Sequence, residues 1–404
     1  MGQRFKWMVI ILISVFIWGC LDVASGSGET GRTDLTAVVK GNNAFAFDLY
    51  AELAKDKGNL FFSPYSISTA LAMTYAGARG ETARQMEETL HFGQAGAGLH
   101  PGFSELMKRF NTSGKSYQIA VANALWGQQG IYFYPEFLEI TDRYYEAGFK
   151  EVDYIRQTEQ ARLTINEWVE KKTNYKIVEL LKPDVLSCLT RLVLTDAIHF
   201  KGRWKLEFKL EATRPAPFYG LAGTKPDVPL MRQQGEFKYV ETPQLQVLEL
   251  PYTGGEIVMD ILLPKPESEI VKLEPDFKLT NFESWLDKME SKPVSVFLPR
   301  FKLEKELSLI KFLQALGMTA AFDGDSADFS GIANLPLFIT HIIHKAFVEV
   351  NEEGTEAAAA TAVVMDEKAV VAPVFRADRP FLFLIRDVNS GSILFMGKMA
   401  DPQS

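Results

Sequence analysis

Cysteine is nearly absent: 404 residues hold two, Cys20 and Cys188. That pair builds no disulfide framework and no Cys-based zinc site. Long apolar runs are missing as well. The run Met8 to Trp18 is too short for a comfortable membrane span, and nothing later is apolar enough. No P-loop, HExxH helix or dinucleotide fingerprint occurs. Gly324-Asp325-Ser326-Ala327 has a faint likeness to a serine-hydrolase motif but lacks the strand–turn–helix setting that a nucleophile needs. His341 and His344 stand three apart with no carboxylate or cysteine motif beside them, so they read as structural rather than metal-binding. No catalytic constellation, metal or cofactor is therefore expected. Excess positive charge is also lacking. The net charge of −8 disfavours general nucleic-acid binding and leaves room only for a local basic patch.

What is present is a chain 47% hydrophobic and 23% charged, enough to bury a large core. Its N-terminus reads as a targeting segment. Arg4 and Lys6 make a basic n-region, and Met8 to Trp18 an apolar h-region. The IWGC that ends at Cys20 resembles the lipobox of prokaryotic lipoproteins, in which cleavage before Cys leaves a thiol for lipid attachment. Trp18 departs from that pattern, where a small residue is usual. An ordinary signal peptide with an incidental Cys20 is the alternative. Residues 1–19 are thus expected to be removed on export, and Leu21 to Thr33 reads as a Gly/Ser-rich tether. The location expected is extracellular, or lipid-anchored to the outer face of the cell membrane.

Along the rest of the chain, periodicity predicts helices over Ala44–Lys55, Ser66–Ala78, Glu81–Leu90, Pro135–Tyr145, Glu159–Lys172 and Leu307–Leu316. Ser63 is an N-cap candidate before Pro64. Strands are predicted over Tyr117–Gln128, Arg191–Phe200, Phe237–Val240, Gln246–Leu250, Ile257–Leu263 and Ser295–Leu303, the last kinked at Pro299. A terminal hairpin, Phe381–Arg386 with Ser392–Lys398, turns at Asn389-Ser390-Gly391. Arg191–Phe200 is apolar on both faces, as in a strand covered on both sides. Helices dominate early and strands late, which gives one α+β domain over 34–404.

The most unusual stretch is Lys345 to Arg379, KAFVEVNEEGTEAAAATAVVMDEKAVVAPVFRADR. Ala346–Asn351 alternates as a strand. An acidic turn, Gly354 and a block of small residues follow. Propensity alone makes that block a helix. Gly354 at its base, and the lack of proline from Lys345 to Ala372, would equally let it join a β-sheet. Here the chain resembles the serpin family: NEEGTEAAAATA is similar to the serpin hinge, and FRADRPFLFLIRDVNSGSILFMGKMADP to its C-terminus. NLFFSPYSISTALAMTYAGA, HFKGRWKLEF, ADFSGI and HKA extend the likeness over roughly residues 34–404.

The resemblance implies a fold with a large mixed five-stranded main sheet, two smaller sheets and an exposed reactive loop, here about 352–375. It implies a monomeric suicide inhibitor whose partner is a serine protease. The protease cleaves the loop, whose hinge side then inserts into the main sheet and traps the acyl-enzyme. The implied hinge is Gly354, Thr355, Glu356, Ala357, Ala358, Ala359, Ala360 and Thr361. Strand alternation puts Thr355, Ala357, Ala359 and Thr361 on one face. Ser63, Ser66, Asp196 and His344 would lie at the sheet centre, with Trp204 over the insertion point. Asp196 stands where the family usually has Asn, an exchange expected to disturb those hydrogen bonds. Counting Gly354 as the first loop residue, the fifteenth is Lys368, so the expected scissile bond is Lys368–Ala369 and the expected target trypsin-like. Counting back from Pro380 moves the bond to Ala369–Val370 and the target to an elastase-like protease. The competing function is a non-inhibitory serpin acting as carrier, chaperone or storage protein. Small inward hinge residues weigh against it.

Overall fold

The computed structural model describes residues 35–111, 116–146, 148–266, 268–355 and 372–402. Among them the chain forms α1 (Leu35–Leu53), β1 (Leu60–Phe62), α2 (Pro64–Tyr75), α3 (Gly80–Thr89), α4 (Leu99–Phe110), β2 (Tyr117–Gln128), α5 (Pro135–Tyr145) and β3 (Phe149–Val152). Then come α6 (Thr158–Lys172), β4 (Leu192–Arg203), β5 (Arg214–Gly220), β6 (Gly223–Glu241), β7 (Leu245–Pro251) and β8 (Ile257–Pro264). The remainder holds α7 (Ile270–Leu273), α8 (Leu279–Leu286), β9 (Glu290–Pro299), β10 (Phe301–Ser308) and α9 (Ile310–Ala315). It closes with β11 (His341–Val350), β12 (Gly354–Thr355), β13 (Val374–Arg376), β14 (Phe381–Asp387) and β15 (Ile393–Met399). No helix among the described residues is long and apolar enough to cross a membrane.

The main sheet runs β10-β11-β12-β4-β2-β3. Without the two-residue β12 it is a mixed five-stranded sheet in which β4 and β11 pair in parallel from His341↔Val193 to Phe347↔His199. The nineteen-residue β6 runs through both of the other expected sheets and joins them into one assembly of nine strands.

Strand alternation explains how the main sheet is buried on both faces. Leu192, Leu194, Ile198 and Phe200 of β4 belong to the larger core, which includes α1, α2 and the second sheet. Val193 and Ala197 point the other way, into a smaller core with Trp126, Phe347 and the α6 residues Ala161, Ile165 and Val169. α6 therefore covers one face of the main sheet and α2 packs under the other.

Several boundaries differ from the periodicity. α1 begins earlier than Ala44 because Val38 and Val39 extend its buried stripe. α4 goes unpredicted; its Pro101 lies in the first turn, where proline removes no needed hydrogen bond. Ser295–Leu303 is not one kinked strand. The chain leaves the second sheet at Pro299, enters the main sheet at Phe301 and turns between them at Arg300.

Candidate functional site

At the middle of the main sheet, register and alternation bring three polar side chains to one spot. Asn123 of β2 and His344 of β11 both lie opposite Asp196 of β4. All three point toward the start of α2, where Ser63 caps the helix: its Oγ accepts from the Ser66 amide at 3.1 Å. The Ser63 hydroxyl donates to the Leu394 carbonyl at 2.6 Å, which ties the cap to β15. The Ser63 N–H donates to His344 Nε2 at 3.1 Å. That nitrogen must then carry a lone pair, so the proton sits on Nδ1 and is donated to Asp196 Oδ2 at 3.0 Å. Asp196 and His344 are fully buried. Parting β4 from β11 here breaks the His344–Asp196 bond.

Asp196 was expected to disturb this cluster, and the structure instead holds it by both oxygens. The mismatch is narrower. Ser66 Oγ lies 2.5 Å from Asp196 Oδ1 and 2.9 Å from Asn123 Oδ1. A hydroxyl has one proton to donate, and a carboxylate can only accept. An amide at 196 would accept from His344 and donate to Ser66, freeing the Ser66 proton for Asn123. Asp196→Asn is therefore expected to stabilise the protein by about 1–2 kcal/mol, read as a raised melting temperature. A fall would show that the carboxylate is the better partner.

The upper end of the β4–β11 seam is already parted. Gly354 and Thr355 lie between the two strands as β12. Gly354 is opposite Arg203, and Thr355 is opposite both Gly202 and Val350. A Cβ on Gly354 would sit 2.1 Å from the Gly202 carbonyl oxygen, so no side chain fits there. Thr355 is fully buried, and its Oγ1 meets the Tyr252 hydroxyl at 2.8 Å. Trp204 stacks on Tyr252 at 4.4 Å. Its indole N–H donates to the Asn351 carbonyl at 3.0 Å, and its amide donates to the Glu353 carbonyl at 2.9 Å. The Asn351 side chain in turn accepts from the Glu353 and Gly354 amides.

Glu352 fastens this turn to the second sheet. Its carboxylate accepts from Arg300 at 2.5 Å and from Thr213 at 2.7 Å. Burial pushes this carboxyl up, but those hydrogen bonds outweigh it and hold the group below its ordinary value. On the α6 side, Lys345 Nζ donates to the Val178 carbonyl at 2.9 Å, which ties the segment after α6 to β11.

The structure thus brings Ser63, Ser66, Asp196 and His344 together at the sheet centre, and Trp204 with Gly354 and Thr355 at its upper end. Glu356, Ala357, Ala358, Ala359, Ala360 and Thr361 lie outside the described residues, as do Lys368, Ala369 and Cys20. Sequence reading missed Asn123, Tyr252, Thr213 and Arg300. Asn123 left one signal, a polar residue interrupting the apolar strand Tyr117–Gln128. His341 is half-buried beside Thr340 and takes no part in the cluster. Among the described residues no group of three or more His, Cys, Asp or Glu side chains is placed to hold a metal ion.

Comparison with known proteins agrees with this geometry. Residues 40–402 match the family model Serpin (serine protease inhibitor). The chain is 43% identical to the leukocyte elastase inhibitor of Homo sapiens over 378 residues, covering 89% of this chain and 98% of that protein. It is equally 43% identical to an uncharacterized serpin-like protein of Thermococcus kodakarensis over 372 residues, covering 91% and 86%. Among solved structures, Serpin48 of the insect Tenebrio molitor matches with a TM-score of 0.81 and 31% identity, over 92% of this chain and all of that one. A match to the family model over nearly the whole described region, with relatives above 40% identity, settles the point: the chain belongs to the serpin family, the serine protease inhibitors.

Proposed function

We propose that this protein inhibits a trypsin-like serine protease as a monomer, by offering Lys368–Ala369 as substrate and drawing the cleaved loop into the main sheet. The observation that carries this reading is β12. Two residues of the hinge already pair with β4 and β11, at the mouth of a seam whose lower part is a single parallel pairing. Continuing the antiparallel register below Thr355↔Gly202 would bring Thr361 opposite Asp196 and residue 365 opposite Leu192, the first residue of β4. Ala357, Ala359 and Thr361 would share the inward face of Thr355, where small side chains meet the packed core. Glu356 would face the opposite way.

A protease held at Lys368 would travel the length of β4, about 40 Å at roughly 3.3 Å per residue. One parallel seam would become two antiparallel ones, the better-paired arrangement. The gain is on the order of ten backbone hydrogen bonds at roughly 0.5–1.5 kcal/mol each. Before cleavage the loop cannot follow that path, so the native state is metastable and held by a kinetic barrier. The inhibitor performs no turnover of its own.

Lysine at the cut suits a specificity pocket that carries a carboxylate, and loss of such a pair costs a few kcal/mol in the transition state. The test incubates the protein with trypsin and with elastase and weighs the released C-terminal peptide. An SDS-resistant trypsin complex with a peptide beginning at Ala369 is expected. Trapping of elastase alone, with a peptide beginning at Val370, would move the bond by one residue. Clean cleavage by both without any trapped complex would leave a non-inhibitory carrier, chaperone or storage role.

The basic n-region, the short apolar run and Gly19-Cys20 support export with lipid attachment at Cys20. Metabolic lipid labelling of the wild type and of Cys20→Ala decides it. Label confined to the wild type is expected. Equal labelling, or soluble release of both, removes the anchor. The relatives do not distinguish a prokaryotic source, since the human and the archaeal proteins match equally well.

A further inference from the structure

The protein is acidic overall, yet one cleft of about 490 Å³ on the second sheet gathers three arginines, Arg214, Arg232 and Arg376. Register explains the arrangement. Phe297 of β9 lies opposite Arg232 of β6 on one side and Arg376 of β13 on the other. Both guanidinium groups pack over the Phe297 ring, at 5.5 Å and 5.0 Å from its centroid. Such packing restrains a guanidinium without using up its donors, although Arg376 Nε already donates to Asp378 at 2.8 Å. Arg214 donates one nitrogen to the Glu211 and Thr213 carbonyls, and its ionic partner is absent among the described residues. Arg232 is exposed and has neither an ion pair nor a hydrogen bond there. Acidic groups nearby are Glu211 on the rim and Asp378, which Arg376 shares with Arg379.

Position gives the cleft a use. Arg376 stands seven residues after Ala369, at most about 25 Å of extended chain. A protease domain of ordinary size is roughly 40–45 Å across. A protease that holds the Lys368–Ala369 bond is therefore within reach of the cleft.

We propose that the Arg214–Arg232–Arg376 cleft is an exosite for an acidic surface segment of the target protease. The planar, forked guanidinium suits bidentate pairing with carboxylates. The positive spot is small and bounded by Glu211 and Asp378 on a chain of net charge −8, which favours a few carboxylates of a folded partner over a long polyanion. The site would act on encounter, raising the association rate and making it salt-dependent, and would leave loop insertion alone.

This inference rests on the inhibitory reading, so its test has a readout that does not depend on inhibition. A fluorescent hexaglutamate peptide is titrated against the wild type and against Arg214→Glu/Arg232→Glu, at low and at physiological salt. Expected is binding by the wild type that falls with salt and weakens about tenfold or more in the variant. Equal binding by the two proteins, or none by the wild type, overturns the site. Binding of a sulfated oligosaccharide through these arginines with no binding of hexaglutamate overturns the choice of partner. In parallel the variant should still form the SDS-resistant trypsin complex with unchanged stoichiometry. Loss of that complex in both proteins would point instead to failure of the inhibitory reading.

Discussion

Thr355→Arg should convert the inhibitor into a substrate, with the loop cut at a normal rate and nearly all protease released active. Thr355 is fully enclosed between β4 and β11 and bonded to the Tyr252 hydroxyl. The ring of Tyr252 is stacked against Trp204, so no space opens by a simple rotation. Arginine there must either bury an unpaired guanidinium, at a cost of several kcal/mol, or keep β12 out of the seam. Either way the first step of insertion becomes uphill. Each 1.4 kcal/mol slows that step about tenfold, while deacylation of the protease keeps its own pace. The measurement is the number of inhibitor molecules consumed per protease trapped. It should rise by an order of magnitude or more, whereas Thr355→Ser, which keeps the hydroxyl and the small size, should leave it nearly unchanged. If Thr355→Arg traps protease with wild-type stoichiometry, hinge insertion is not the engine.

Much of this site was legible because its chemistry is local or periodic. Ser63 before Pro64 is a helix start on sequence grounds alone, and the cap forms as expected. The double-faced apolarity of Arg191–Phe200 announced a strand covered on both sides, and β4 has a core on each face. What stayed hidden depends on register between distant strands. Nothing in the sequence around Asn123 says that it lies opposite Asp196, and nothing around Phe297 says that Arg232 and Arg376 flank it. The Tyr252–Thr355 bond and the Arg300–Glu352 pair likewise join segments 103 and 52 residues apart. The switch of sheets at Arg300 looks like a kink at Pro299 in the sequence, and only tertiary packing separates β9 from β10. The partners of Asp196 stay hidden for a similar reason: Ser66 and His344 come from other elements and are invisible in the strand itself.

The most direct measurement is the thermal stability of the protein before and after a single cut in the loop, made between Val363 and Ala369 and verified by mass spectrometry. Insertion would add on the order of ten backbone hydrogen bonds, roughly 5–15 kcal/mol in net stability. For a domain of this size each kcal/mol moves the melting temperature by about 1–2 °C. A rise of about 10–20 °C on cleavage is therefore expected in the wild type, with a smaller rise in Thr355→Arg. An unchanged or lower melting temperature after the cut would contradict insertion of the loop between β4 and β11.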